Sequence, residues 1–254
     1  GNNMIHYHGC PLSGGTFTQR AYAARHAMIS FANQAHAELI IEHCQSFTID
    51  NGAFTYWKQG NSFNLDGFGE FMERWYRHPS HDWYCIPDVI GGDHHDNAKI
   101  RAAWFNTVSN AIWKKGRPVW HLHEPLEVLK EMVVAWSGVC LGSSGEYSEI
   151  GTQKWWSRMA QAMDVICDEQ GRPKVQIHGL RMLDNTVFSH LPLSSADSTN
   201  VARNCGIDKA WNGPYAPKSN DTRALVMMER IEAHASAKIW TGSNGFTQNH
   251  DLFG

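Results

Sequence analysis

Short apolar runs rich in β-branched and aromatic residues recur about eight times along the chain, and helical-looking segments separate most of them. The runs that read as strands are Met4 to Cys10, Ala27 to Ala32, Ser46 to Asp50, Asp82 to Ile90, Pro118 to His123, Gly138 to Ser143, Lys174 to Leu180 and a short one ending near Asp197. Helix candidates, with apolar residues near i, i+3, i+4 spacing, include Phe68 to His78, Asn97 to Asn110, Leu126 to Trp136 and Thr152 to Gln170. This alternation predicts an α/β fold with a parallel sheet and crossover helices. About eight repeats in 254 residues is the size of a closed (β/α)8 TIM-like barrel, read as a single domain over residues 1–254. An open doubly wound sheet is the alternative. No GxGxxG or GxxxxGK[ST] follows any strand, which removes the main sequence reason for a dinucleotide or P-loop site.

Composition bounds the partners. With 42% hydrophobic and 19% charged residues the chain can bury a full core, and no low-complexity run or Pro/Gly linker marks a second domain. Lys plus Arg number 22 against 25 Asp plus Glu, a formal charge of −3, so any polyanion must be met by a local basic patch. No stretch approaches the ~18 consecutive apolar residues of a membrane span and no leader is evident, so the expectation is a soluble, cytoplasmic protein that engages no membrane. Gly1, Asn2 and Asn3, ahead of Met4, read as an expression remnant. The six cysteines, Cys10, Cys44, Cys85, Cys140, Cys167 and Cys205, are dispersed without a CxxC pair and read as reduced thiols.

In a barrel of this kind the reactive groups sit at the C-terminal ends of the strands. Taken in order, those ends carry His6 and His8 with Ser13-Gly14-Gly15, then Asp50-Asn51-Gly52, then Asp88 and Asp93. They continue with His121 and His123, Gly142-Ser143-Ser144-Gly145-Glu146, His178-Gly179 and Asp197. Two chemistries suit such a rim. One is metal-dependent hydrolysis through the pairs His6-Tyr7-His8 and His121-Leu122-His123, whose period of two puts both imidazoles of a pair on one side of an extended strand, with Asp93-His94-His95 as a further cluster. The other is glycosyl transfer at two carboxylates, Asp50 and Asp197, one attacking an anomeric carbon and one handling the proton. Each Asp taken singly is also a plausible turn or helix cap.

The segment Phe47-Thr48-Ile49-Asp50-Asn51-Gly52-Ala53-Phe54 resembles the strand-end motif of the tRNA-guanine transglycosylases, in which Asp precedes a small polar residue, Gly, a small residue and Phe. Four further segments resemble that family in the same order. They are Pro87-Asp88-Val89-Ile90-Gly91-Gly92-Asp93, Val139-Cys140-Leu141-Gly142-Ser143-Ser144-Gly145-Glu146, Val175-Gln176-Ile177-His178-Gly179 and the run from Ala196-Asp197 to Ala202-Arg203-Asn204. The family's CxCxxC zinc motif is missing, since only Cys205 follows Asp197, with His234 and His250. The compact, zinc-less pattern is similar to the phage DNA-guanine transglycosylases of the DpdA type.

That resemblance implies a base exchange in DNA, guanine leaving and a 7-deazaguanine such as preQ0 entering, with no cofactor and no metal. Asp197 would be the nucleophile and Asp50 the general acid/base. Asp93 would read the base edge, with Asp88 as the substitute. His123, Gly142, Ser143, Ser144, Glu146, His178, Gly179, Asn51 and Phe54 would line the base site. His123 and His178 depart from the family, whose tRNA enzymes carry Gln and Met there. Chemistry on a base requires it to leave the stack, so cations and aromatic faces should flank the site. Arg203, Lys209, Lys218 and Trp211 are the candidates for contact with nucleic acid, with Tyr215 and Phe54 as further stacking surfaces, whereas Trp155-Trp156 reads as core. The alternatives are the HxH hydrolase and a tRNA-guanine transglycosylase.

Overall fold

The computed structural model describes residues 4–9, 15–198 and 219–242. Its strands are β1 (Ile5–Gly9), β2 (His26–Ser30), β3 (Ser46–Asp50), β4 (His81–Cys85), β5 (Gly116–Arg117), β6 (Val119–His121), β7 (Gly138–Gly142), β8 (Gln176–Gly179) and β9 (Ser195–Ser198). The helices are α1 (Gly15–Tyr22), α2 (Ala37–His43), α3 (Ala53–Lys58), α4 (Leu65–Trp75), α5 (His94–Thr107), α6 (Asn110–Lys115), α7 (Leu126–Ala135), α8 (Gln153–Ile166), α9 (Asn185–Phe188) and α10 (Asn220–Glu232).

All strand pairs are parallel, in the order β5-β4-β3-β2-β1-β9-β8-β7-β6. The two ends of that order, β5 and β6, are halves of one extended run broken at Pro118, which has no N–H to give to a ladder. Backbone bonds cross the break on both sides. Ile86 N–H donates to Arg117 O at 2.9 Å, and Cys140 N–H donates to Pro118 O at 2.9 Å. Apart from that interruption the sheet closes on itself, giving the (β/α)8-type barrel read from the alternation and excluding the open sheet.

Parallel strands covered on both faces should be apolar almost throughout, and β7 (Gly-Val-Cys-Leu-Gly) is buried at every position. Alternate residues divide between two environments. Tyr7, Met28, Trp83, Cys85, Val119 and Cys140, from five strands, pack on one another inside the barrel. Their neighbours along the strands join two larger clusters beneath the helices, one around β6 to β9 with α7 and α8, the other around β2 to β4 with α1, α2, α4 and α5. Helix α8 shows how the local code is met: the Thr152 hydroxyl accepts from Trp155 N–H as N-cap, and Trp155, Trp156, Met159, Ala162, Met163 and Ile166 form the buried stripe. Trp155 and Trp156 are core, as expected.

Several boundaries differ from the sequence reading for local reasons. Strand β4 stops at Cys85, before Pro87, rather than running to Ile90. Strand β6 stops at His121 because Glu124 N–H turns back onto His121 O at 2.8 Å. Helix α8 ends at Ile166, after which the Asp168 carboxylate accepts from the N–H groups of Gln170 and Arg172 and turns the chain. The short helices α1, α2, α3, α6 and α9, and the longer α10, are additional to those expected from periodicity.

Candidate active site

Three carboxylates gather at the C-terminal rim of the barrel. Asp50 is the last residue of β3, Asp88 lies three residues beyond β4, and Asp197 lies in β9. Asp50 accepts hydrogen bonds from the backbone N–H groups of Asn51 and Gly52, which favour its charged form. Burial opposes that charge, as do the nearby carboxylates of Asp197 and Asp88, and together these raise its pKa from 3.8 to about 7. The turn that sets Asp50 depends on Gly52, whose φ is +78° and whose missing Cβ would stand 2.7 Å from Ala32 Cβ.

Asp197 sits opposite Tyr7 in the β1–β9 register and is 6% exposed. His178 Nε2 is 2.8 Å from its Oδ1, while His178 Nδ1 is 2.7 Å from Ser195 Oγ. Burial of the imidazole lowers its pKa, only partly offset by Asp197, so the ring is neutral near pH 7. The network then fixes the tautomer: Nε2–H donates to Asp197 and Nδ1 accepts from the Ser195 hydroxyl. Trp83 and Tyr7, with ring centroids 4.7 and 5.9 Å from that of His178, hold the ring in place. Arg181 adds a backbone N–H to Asp197 Oδ1 at 3.3 Å. An imidazole and a backbone N–H on the same oxygen fix the orientation of the Asp197 carboxylate.

Asp88 belongs to a second buried network. Its Oδ2 is 2.6 Å from His121 Nε2, and its Oδ1 accepts from Asn51 Nδ2 at 2.8 Å. His121 Nδ1 is 2.7 Å from Glu124 Oε2, which also accepts the His121 N–H at 2.8 Å. Burial disfavours the imidazolium, yet the hydrogen bonds and charges of Asp88 and Glu124 outweigh it and raise the His121 pKa to about 9. Asn51 is itself fixed, giving Nδ2–H to Ile86 O at 2.9 Å and accepting Ala53 N–H at 2.8 Å.

The remaining expected residues fall into place unevenly. His123 hydrogen-bonds Ser144 Oγ at 2.6 Å through Nδ1 and Gly92 O at 2.8 Å through Nε2, which ties the glycine-rich segment to the loop after β4. Ser143 Oγ accepts from Trp155 Nε1 at 2.9 Å, and Ser143 O accepts from Arg181 Nη2 at 3.2 Å. Gly142 pairs with His121 in the β6–β7 register. Gly179 is required by packing, since a Cβ there would stand 2.7 Å from Met182 Sδ. Phe54 is exposed and lies under the Arg181 guanidinium, 5.6 Å from the ring centroid. Glu146 is exposed and paired with Lys154 at 2.7 Å.

Asp93 is not joined to the three carboxylates. It is exposed and serves as the N-cap of α5, accepting Asp96 N–H at 2.9 Å in a reciprocal capping box. Asp88 is the acidic residue of that segment that the fold brings to the network. Arg203, Lys209, Trp211, Tyr215 and Lys218 lie outside the described residues, as do Cys10 and Cys205. Cys44, Cys85, Cys140 and Cys167 are free and buried, in line with the reading as thiols.

The HxH pairs do not converge. His6 and His8 point away from the barrel interior, His6 Nε2 lying 2.7 Å from His234 O and His8 Nε2 2.8 Å from Glu232 Oε1 on α10. His121, by contrast, is held on the inner side of the wall by Asp88 and Glu124. Period two does put both imidazoles of a pair on one side, but the β1 pair uses the outer side. Among the described residues no group of three or more His, Cys, Asp or Glu side chains is placed to hold a metal ion. Glu124 and Arg181 are the site residues that the sequence reading missed. Neither carries a local signal: Glu124 precedes a proline in a turn, and Arg181 adopts φ +57° after a strand. No protein-family model matches the chain, and no curated protein is significantly similar to it.

Proposed function

We propose that the chain is a DNA-guanine transglycosylase that exchanges guanine for a 7-deazaguanine base such as preQ0 through a covalent glycosyl-aspartate. The observation that carries this reading is the pairing of two unlike carboxylates at one rim. Asp197 is held by His178, and Asp50 has its pKa raised to about 7 by burial and by its acidic neighbours, so that it can both give and take a proton near neutrality.

In the first step an Asp197 oxygen attacks C1′ and the C1′–N bond breaks, its electron pair leaving with guanine, which takes a proton from Asp50. Asp50 is then a carboxylate. It removes the proton from the incoming base, whose ring nitrogen attacks C1′ and displaces Asp197, which regains its charge. Atoms and charges balance over the two steps without an external oxidant or reductant. Asp88, rather than Asp93, is the residue suited to accept the N1–H and 2-amino donors of a guanine-type edge. DNA is taken over tRNA on the resemblance of the motif pattern to the DNA-acting transglycosylases.

The test is incorporation of radiolabelled guanine or preQ0 into DNA and, in parallel, into tRNA, with chelator present. Label in DNA that is lost with Asp197→Ala, while the variant keeps its circular dichroism spectrum, is the expected result. Label in tRNA alone would overturn the polymer, and exchange retained by Asp197→Ala would overturn the mechanism.

A further inference from the structure

The wall of the site contains a buried chain of three ionisable groups, of which the proposed reaction uses only Asp88. Glu124, His121 and Asp88 run carboxylate, imidazole, carboxylate, with contacts of 2.7 and 2.6 Å; His121 is 3% and Glu124 1% exposed. Both ring nitrogens face carboxylate oxygens. A neutral imidazole has one donor and one acceptor nitrogen, and beside two carboxylates it would set a lone pair against an oxygen anion at one contact, whereas the doubly protonated ring donates to both.

The chain is anchored from behind. Arg158 on α8 donates Nε–H to Leu122 O at 2.7 Å and Nη2–H to Glu124 O at 2.6 Å, which pins the 121–124 turn. Asn51 holds the other Asp88 oxygen. Asp88 thus has one donor on each oxygen from the protein, which fixes its rotamer, and each oxygen keeps capacity for a further donor. Stability alone does not account for this arrangement. A buried ion triad is often no better than apolar residues of equal volume, and Glu124 Oε1 is buried with no hydrogen-bonding partner among the described residues.

We propose that His121 and Glu124 are positioning residues that hold Asp88 as a fixed, twofold acceptor, making the site selective for a base edge with two adjacent N–H donors. The inference rests on the transglycosylase reading and deepens it. Guanine and the 7-deazaguanines present such an edge. Hypoxanthine lacks the amino group and so forfeits one of the two contacts, and adenine sets its N1 lone pair against a carboxylate that cannot turn away. A site built around such a contact discriminates strongly against analogues that lack the group.

The test compares incorporation of labelled guanine and labelled hypoxanthine by the unaltered full chain, by Glu124→Gln and by His121→Gln. The expected result is a rise of at least about tenfold in KM for guanine, larger than the fall in kcat, and at least about a tenfold narrowing of the preference for guanine over hypoxanthine. Loss of thermal stability with KM and preference unchanged would reduce the chain to a structural role and overturn the inference. Because a variant can fail to fold, 15N spectra of the histidines in the unaltered protein give a second reading. Protonation of both His121 nitrogens at pH 7 is expected, and a neutral ring overturns the inference by itself. Absence of any base exchange by the unaltered protein would refute the parent reading and this one with it, whereas exchange with unaltered selectivity in the variants refutes this one alone.

Discussion

Replacing Asp50 by Asn tests the electrostatics of the rim directly. In the folded protein the Asp50 carboxyl keeps its proton to about pH 7, whereas in the unfolded chain it releases it near 3.8. Between those values the folded state binds the extra proton, so this group's contribution to stability falls as the pH rises and levels off above about 7. A rise from 3.8 to about 7 is worth about 4 kcal/mol at roughly 1.4 kcal/mol per pH unit. Asp50 is only partly buried, and solvent screens part of that, so the expected difference is about 2 to 4 kcal/mol. Asn keeps an oxygen that can accept from the N–H groups of Asn51 and Gly52 and carries no charge beside Asp197 and Asp88. Asp50→Asn should therefore gain stability relative to the unaltered protein as the pH rises from 4 to 8. For a chain of this size that corresponds to a relative gain of about 5 to 15 °C in Tm. Thermal melts of both proteins at pH 4, 5, 6, 7 and 8 measure it, and titrating groups that do not interact with Asp50 cancel in the difference. Two melting curves that stay parallel across that range would refute the claim that burial and acidic neighbours raise Asp50.

Further outcomes follow from the same geometry. Gly52→Ala should cost about 1 to 3 kcal/mol, because φ is +78° and the added Cβ meets Ala32 at 2.7 Å; a melt within 1 °C of the unaltered protein would show that the turn relaxes freely. His178→Phe removes the donor to buried Asp197 and the acceptor for Ser195, so we expect a loss of about 2 to 4 kcal/mol in denaturant unfolding and a fall of about 10²-fold in single-turnover formation of the glycosyl-enzyme. An unchanged single-turnover rate would remove His178 from the positioning of the nucleophile. Trp155→Phe keeps an aromatic ring in the core but deletes the 2.9 Å bond to Ser143 Oγ, for an expected 1 to 2 kcal/mol measured by guanidinium unfolding. A loss below about 0.3 kcal/mol would mean that this bond holds nothing.

The barrel was legible in the sequence because its cause is local. Strands such as Gly138 to Gly142 are buried on both faces and must be apolar throughout, and a helix such as α8 must repeat its buried residues every three to four positions. Those patterns survive in one dimension, and parallel strands joined by helices leave few ways to close. Asp50 and Asp197 were legible for a related reason, since a carboxylate at a strand end lies at the rim of any such barrel. What the one-dimensional pattern could not supply was direction and company. Asp88 and Asp93 look alike in Pro87 to Asp93, yet one is drawn into the wall by His121 and Asn51 while the other caps α5 in solvent. His6-x-His8 and His121-x-His123 look alike too, and lie on opposite faces of the wall. The protonation of Asp50 and His121 and the recruitment of Glu124 depend on groups 33 to 147 residues apart along the chain or on a buried turn. The alternation of elements and the acids at strand ends can be read in one dimension; which of those acids meet follows from closure of the sheet, because burial and Coulomb interaction depend on distance in space and not along the chain.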